Sequence, residues 1–256
     1  MDVRFQNISA SSNPKYKTWI SLLKSQGIRE SGLFLLYGKP IAEVLEQNPE
    51  KVNAILFTAE HMDQVRAYDA TLLKTKKATH FELSKELFKE LDVFGIHQPI
   101  FVCESTEIPQ SKLSSPQGLE LLLALQNPSN LGAILRSALN FDVSKIIILK
   151  ECSHPYHPKS IRALSSNPYL LNFEMGPALS EIKASDKNFF ALDANGKSLK
   201  DHKWPKNCFL LLGEEGQGLP SSIPEQAKLS IASSGKIDSL NATVAASIAL
   251  YDYFHQ

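Results

Sequence analysis

Apolar residues in the first hundred positions alternate between short unbroken runs and helical spacings. Runs at 33–37, 52–58 and 100–103 predict buried strands, because they are apolar on both faces and too short for helices. Trp19, Ile20, Leu22 and Leu23 give residues 16–26 the spacing of an amphipathic helix that Gly27 would end. Helices are also expected at 41–47, 61–68 and 83–91, the last carrying Leu83, Leu87, Phe88 and Leu91. This alternation predicts a small α/β module over residues 1–105. Residues 106–117 lose the periodicity and turn to Ser, Pro, Gln and Thr, which reads as a linker.

The alternation then resumes over 118–256 with more strongly apolar strands, at 119–125, 146–149, 189–193 and 209–212. Helices are expected at 131–141 and 240–254. Strands apolar on both faces and separated by helices predict a mostly parallel sheet covered on both sides. In such sheets ligands bind beyond the carboxyl ends of the strands, so the loops there are the first places to look for chemistry.

Composition narrows the picture only a little. The 256 residues carry 27 basic and 27 acidic side chains, with 43% hydrophobic and 21% charged residues, as in ordinary globular domains. Neither half is basic: residues 1–110 hold 13 basic against 14 acidic, and residues 111–256 hold 14 against 13. A nucleic-acid partner would therefore have to be recognised through local patches and shape. Cys103, Cys152 and Cys208 are far apart and odd in number, which suits reduced thiols in a cytoplasmic protein. No apolar run approaches the roughly 20 residues of a membrane span, so no membrane association is expected. His154-Pro-Tyr-His157-Pro looks like a metal pair, but its prolines and lack of a third ligand argue against a metal.

Three loops have unusual chemistry. In 126–136, Asn127-Pro128 makes a turn, Ser129 or Asn130 is placed to cap the following helix, and Arg136 falls in its second turn. In 212–220, Gly213, Gly216 and Gly218 follow an apolar strand and would let backbone approach a ligand. Glu214 and Glu215 disfavour a phosphate there and favour a ligand with positive charge, and the spacing is neither a dinucleotide fingerprint nor a P-loop. In 231–246, Asp238 or Ser239 is placed to cap an alanine-rich helix, with Asn241 beside them.

Taken together, Asn130-Leu-Gly-Ala-Ile-x-Arg136, Gly213-x-Glu215-Gly-x-Gly218-Leu219, and Ile231 with Gly235 and Ser239-Leu240-Asn241 resemble the SpoU (TrmH-type) RNA 2′-O-methyltransferases of the SPOUT class. Ile8-Ser9, Asn13-Pro14-Lys15, Arg29 and Phe34-Leu-Leu-Tyr-Gly38 resemble the opening of the ribosomal-RNA branch, which carries an N-terminal RNA-binding module. The resemblance implies a trefoil knot in the second domain, S-adenosyl-L-methionine as methyl donor, ribosomal RNA as substrate and a homodimer. It assigns Gly213, Gly218, Ile231 and Leu240 to the donor pocket, and Arg136, Asn130, Glu215, Ser239 and Asn241 to the catalytic site. A guanidinium is a poor proton acceptor, so Arg136 is expected to stabilise the developing alkoxide or pass its proton on. Lys15, Lys24, Arg29, Lys74, Lys76 and Lys77 are the expected phosphate contacts of the N-terminal module.

Four positions depart from the family pattern: Asn127 where an acidic residue is common, Ile231-Ala232-Ser233 for Ile-Pro-Met, Ser165-Ser166-Asn167-Pro168 for Ser-x-Gly-Ala, and Tyr37 for a glutamate. They leave open a non-catalytic RNA-binding protein of the same fold, a tRNA 2′-O-methyltransferase, or methylation of a small acceptor.

Overall fold

A computed structural model describes residues 5–72, 78–183, 188–213, 219–232 and 240–256. Along the chain the elements run β1 (Phe5–Ile8), α1 (Pro14–Ser21), α2 (Ser25–Ser31), β2 (Leu33–Leu36), α3 (Pro40–Gln47) and β3 (Val52–Phe57). Next come α4 (Met62–Leu72), β4 (Thr79–Leu83), α5 (Lys85–Leu91), β5 (Ile100–Glu104), β6 (Leu119–Leu123), α6 (Pro128–Asn140) and β7 (Lys145–Ile148). The chain continues through α7 (Pro158–Leu164), β8 (Phe173–Met175), β9 (Phe189–Ser198), β10 (Cys208–Leu212), β11 (Lys228–Ser230) and α8 (Ala242–Phe254). Two compact units result: Met1–Glu107 with Tyr156–Tyr169, and Ile108–Pro155 with Leu170–Gln256.

The first unit is built on a five-stranded sheet in the order β1-β4-β3-β5-β2. β1, β4 and β3 run parallel, whereas β5 is antiparallel to both β3 and β2. Where one helix was expected over 16–26, there are two. The chain turns after Ser21, and Gly27 lies inside α2 instead of terminating a helix. A Cβ on Gly27 would come within 2.3 Å of the Ser21 carbonyl oxygen, so glycine lets α2 press against the end of α1. The terminating glycine is Gly32, at φ 65°, where a residue without Cβ adopts the left-handed conformation without strain.

Segment 156–169, placed by pattern in the second domain, packs in the first unit. Asn167, fully buried, donates from Nδ2 to Gln47 Oε1 and Asn48 Oδ1, both at 2.9 Å, and its backbone N–H reaches Glu43 Oε2 at 2.8 Å. Ser166 Oγ donates to the same carboxylate, and the Tyr169 hydroxyl donates to the Glu104 carbonyl at 2.6 Å. The unusual Ser165-Ser166-Asn167-Pro168 run is thus an internal anchor. Tyr37, another departure, donates its hydroxyl to the Leu91 carbonyl.

The second unit holds a six-stranded sheet, β11-β9-β10-β6-β7-β8, with every pairing parallel. One core packs Leu122, Ile147, Leu149, Phe189, Phe209 and Leu211 with Ile182, Ile223 and Ala227. Central β6 and β10 are buried at every position. Glu120, the one charged residue of β6, is compensated by the Gln117 N–H and by Lys145 at 3.6 Å, which also meets Glu174 at 3.0 Å. Within 106–117, Pro109 and Ser111 exchange backbone hydrogen bonds with Met175, so that stretch is docked along β8.

Candidate functional site

The parallel order sends the loops after β6, β7, β10 and β11 off one edge of the sheet. β10 and β6 are neighbours with Leu212 opposite Leu123, and the Ala124 N–H donates to the Leu212 carbonyl at 3.0 Å. Gly213 therefore begins beside the chain that leads to Asn127. The 125–126 backbone is pinned in turn by Ser153, whose N–H donates to the Leu125 carbonyl and whose Oγ donates to that of Gln126.

Asn127, not Ser129 or Asn130, caps α6: its Oδ1 accepts the N–H groups of Ser129 at 2.9 Å and Asn130 at 3.4 Å. Pro128 explains the shift. Proline suits the first helical position and holds the residue before it extended, which is the backbone of a cap. The departure at Asn127 therefore has a structural role, as the cap of α6. Asn130 stands half-buried in the first turn. Leu131, Ile134, Leu135 and Ala138 turn inward, and Arg136 lies on the exposed side. Because α6 starts at Pro128, Arg136 opens its third turn instead of its second, about 12 Å along the axis from that start.

At the second loop Gly213 is half-exposed, and a Cβ on it would meet Leu219 Cδ2 at 3.5 Å. Glu215 and Gly218 lie outside the described residues, as does Ser239 in the third loop. Ile231 leaves the end of β11 half-buried. The expected cap at Asp238 or Ser239 gives way to Asn241, whose Oδ1 accepts the Thr243 N–H at 2.9 Å, with half-buried Leu240 preceding it. α8 buries Ala246, Ala249 and Leu250 and is joined to α6 by a 2.8 Å hydrogen bond between the Ser137 and Ser247 hydroxyls. Ser247 also donates to the Thr243 carbonyl, so the helix bearing Arg136 is tied to the first turn after Asn241. Nothing in the spacing of Ser137 and Ser247 distinguishes this hydroxyl pair from surface serines, so the sequence does not reveal it.

In the first unit, Lys15 on α1, Lys24 before α2 and Arg29 in its last turn are all exposed. Lys15 Nζ sits 4.4 Å from the centre of the Phe81 ring. Lys74, Lys76 and Lys77 lie outside the described residues. His157 has a structural role of its own: its Nδ1 accepts the Lys159 N–H and caps α7. Among the described residues no helix is long and apolar enough to cross a membrane, and no group of His, Cys, Asp and Glu is arranged to hold a metal ion.

An all-parallel sheet with Gly213 at a strand end and asparagine-capped helices α6 and α8 is an α/β domain of the class whose ligands bind beyond the strand ends. The model of the SpoU rRNA Methylase family matches residues 121–251, about half of the chain, and the chain belongs to that family. It is 31% identical over 250 residues to Ribosomal RNA small subunit methyltransferase G 2 of Syntrophobacter fumaroxidans, an alignment covering 96% of this chain and 49% of that protein. The chain thus spans about half of that relative's length. It is also 22% identical to the 23S rRNA (guanosine(2553)-2′-O)-methyltransferase RlmP of Bacillus subtilis, across 96% of this chain and 98% of that one. Among solved structures, the SpoU methyltransferase AviRb of Streptomyces viridochromogenes in complex with AdoMet shares the fold at a TM-score of 0.78, with 23% identity over 95% of this chain and 98% of that one. The AdoMet-bound rRNA methyltransferase of Sinorhizobium meliloti does so at 0.77, with 21% identity and 97% of each chain covered.

Proposed function

We propose that this chain transfers a methyl group from S-adenosylmethionine to a ribose 2′-hydroxyl of ribosomal RNA. The observation that carries the reading is that three segments within the family match leave the same edge of the parallel sheet, Leu125 to Asn130 after β6, Gly213 after β10 and Ile231 after β11, while the helix capped by Asn241 is tied to α6 through Ser247 and Ser137. S-adenosylmethionine supplies an electrophilic methyl on a sulfonium. Gly213, Ile231 and Leu240 hold the donor through backbone groups and apolar contact, together with Gly218. A glycine at the strand end suits this role because no Cβ keeps a ligand from the backbone.

Held there, the donor would give up its methyl group in line to the ribose oxygen, whose proton passes to solvent water, with the electron pair of the broken S–C bond going to sulfur. Arg136 stabilises the developing alkoxide, and Asn130, Glu215, Ser239 and Asn241 orient the acceptor. Arg136 faces outward, some way along α6, which suits a site completed by a second copy of the chain. α8 supplies a matching surface: Val244, Ile248 and Tyr251, spaced i, i+4, i+7, are 47%, 38% and 56% exposed. The homodimer, the knotted C-terminal segment and a cytoplasmic location belong to this reading. Lys15, Lys24 and Arg29, which are exposed, and Lys74, Lys76 and Lys77 of the sequence are the phosphate contacts in this reading, local ones in a unit of balanced charge.

Arg136→Ala is expected to lower methyl transfer to rRNA at least about 1,000-fold, near 4 kcal/mol of transition-state stabilisation. Its affinity for S-adenosylmethionine by calorimetry should stay within a few-fold. Near-normal transfer would rule out the role of Arg136. Failure of the wild-type chain to bind S-adenosylmethionine would overturn the reading itself and favour a non-catalytic RNA-binding protein.

A further inference from the structure

The opposite edge of the second sheet carries a cleft that the donor site does not use. It has a volume of 1290 Å³ and lies against Gly118 and Ser144, the residues just before β6 and β7, and against the loop 200–207 before β10. A five-residue strand spans about 16 Å, so this cleft stands roughly that far from the loops of the donor edge. Its volume exceeds the 300–1,000 Å³ or so of ordinary small-molecule pockets, which favours an extended ligand.

The loop displays Lys200, Lys203 and Lys206 into the cleft, one every third residue. All three are exposed, and among the described residues none of them makes an ion pair. Asp142 and Asp201 also line the cleft, leaving an excess of positive charge among these side chains. Successive lysine Cα atoms are at most about 10 Å apart, a spacing suited to successive phosphates of a flexible strand.

The frame under the lysines is held rigidly. Trp204 Nε1 donates to Asp252 at 2.8 Å, and the Tyr253 hydroxyl donates to the Lys206 carbonyl at 2.6 Å. The Gln256 side chain accepts the Trp204 N–H and donates to the His202 carbonyl. Edge-to-face packing of Trp204 on His202, Phe190 and Tyr253 completes the latch. Three ammonium groups without carboxylate partners on a pre-ordered loop form an anion-binding face in a chain whose net charge is zero.

We propose that this cleft is a second contact for the substrate RNA, holding the phosphodiester backbone of a segment distant from the methylated ribose. It rests on the assignment of rRNA as substrate. The test compares wild type with a Lys200→Gln/Lys203→Gln/Lys206→Gln triple variant, using in vitro transcribed 23S rRNA in filter binding from about 50 to 300 mM salt. The Gln triple should bind about tenfold more weakly near 0.1 M salt and lower the slope of log K against log salt by about 2, for three contacts of about 0.7 each. Affinity for S-adenosylmethionine and the melting temperature should not move. The corresponding Arg triple should keep wild-type affinity and slope. The cleft is ruled out if the Gln triple matches wild type in both, or if the Arg triple loses as much as the Gln triple. Wild-type protein that neither binds nor methylates rRNA sinks the underlying assignment as well, so the two failures are distinguishable.

Discussion

Two α/β units in this chain bury strands of the same kind, yet they distribute their loops differently. In the first, β5 runs against β3 and β2, so strand ends and their loops are divided between both edges of the sheet. In the second, all six strands run the same way, and the segments that follow them collect at one edge. Direction, more than hydrophobicity, therefore determines where a site can assemble. Some polar groups of the first unit are used internally. Asn167, Glu43, Tyr169 and Tyr37 make hydrogen bonds that hold its own parts together. In the second unit Asn127 and Asn241, both in the proposed site, instead cap α6 and α8.

Asn167→Ala gives the largest stability test of that contrast. It removes two side-chain donors and one acceptor from a fully buried site and leaves the oxygens of Gln47 and Asn48 without their partner. A loss of about 2–4 kcal/mol is expected, read as a lowered denaturation midpoint, with affinity for S-adenosylmethionine unchanged. Weakened donor binding in a variant that remains folded would break the division between an anchoring unit and one proposed to hold the donor.

Asn127→Ala should have the reverse profile. Losing the cap of α6 costs about 1 kcal/mol, a smaller stability effect, but it disturbs the first turn that carries Asn130. Methyl transfer should fall several-fold more than stability alone explains. Asn127→Asp retains the acceptor oxygen and adds a charge favoured at a helix N-terminus, so it should restore transfer and match or exceed wild-type stability. Equal transfer by the Ala and Asp variants would show that the cap does not position the site.

Which features could be read from the amino-acid order follows from the same physics. β3, β5, β6, β7 and β10 are visible because strands covered on both faces are continuous apolar runs. β1, β8 and β11 escape notice because each is an edge strand of three or four residues with few buried positions. β4 was obscured because its last residue, Leu83, also fits the helical spacing of the segment after it. At the candidate site, glycine and Asn-Pro chemistry marks the loops from composition alone. The capping residues are displaced by two or three positions, since several neighbouring polar residues can each cap a helix and only the backbone chooses. Gly27 reads as a helix end in the sequence because the approach of α2 to Ser21 is tertiary and leaves no local trace.

Two histidines, one in each unit, provide the finest comparison. Burial lowers the affinity of both for a proton: His157 is further opposed by Lys159, while Asp252 partly offsets the effect at His202. Each is therefore more readily protonated when unfolded, near pH 6.5, than when folded. Their contributions are complete above about pH 6.5 and are lost as pH falls through the lower folded value. At His157 the loss has a visible cause, because a protonated Nδ1 cannot accept the Lys159 N–H that caps α7. At His202 the buried Nε2 has no hydrogen-bond partner among the described residues, and the ring packs against Phe190 and Trp204, so charging it opposes burial directly. The melting temperature should fall by a few degrees between pH 7.5 and 5, about the size expected from a small free-energy change in a chain of this length. His157→Asn, which can still cap α7, should flatten part of that slope, and His202→Asn should flatten another part. An unchanged slope in both variants would assign the acid sensitivity to carboxylates and remove the histidines from the comparison.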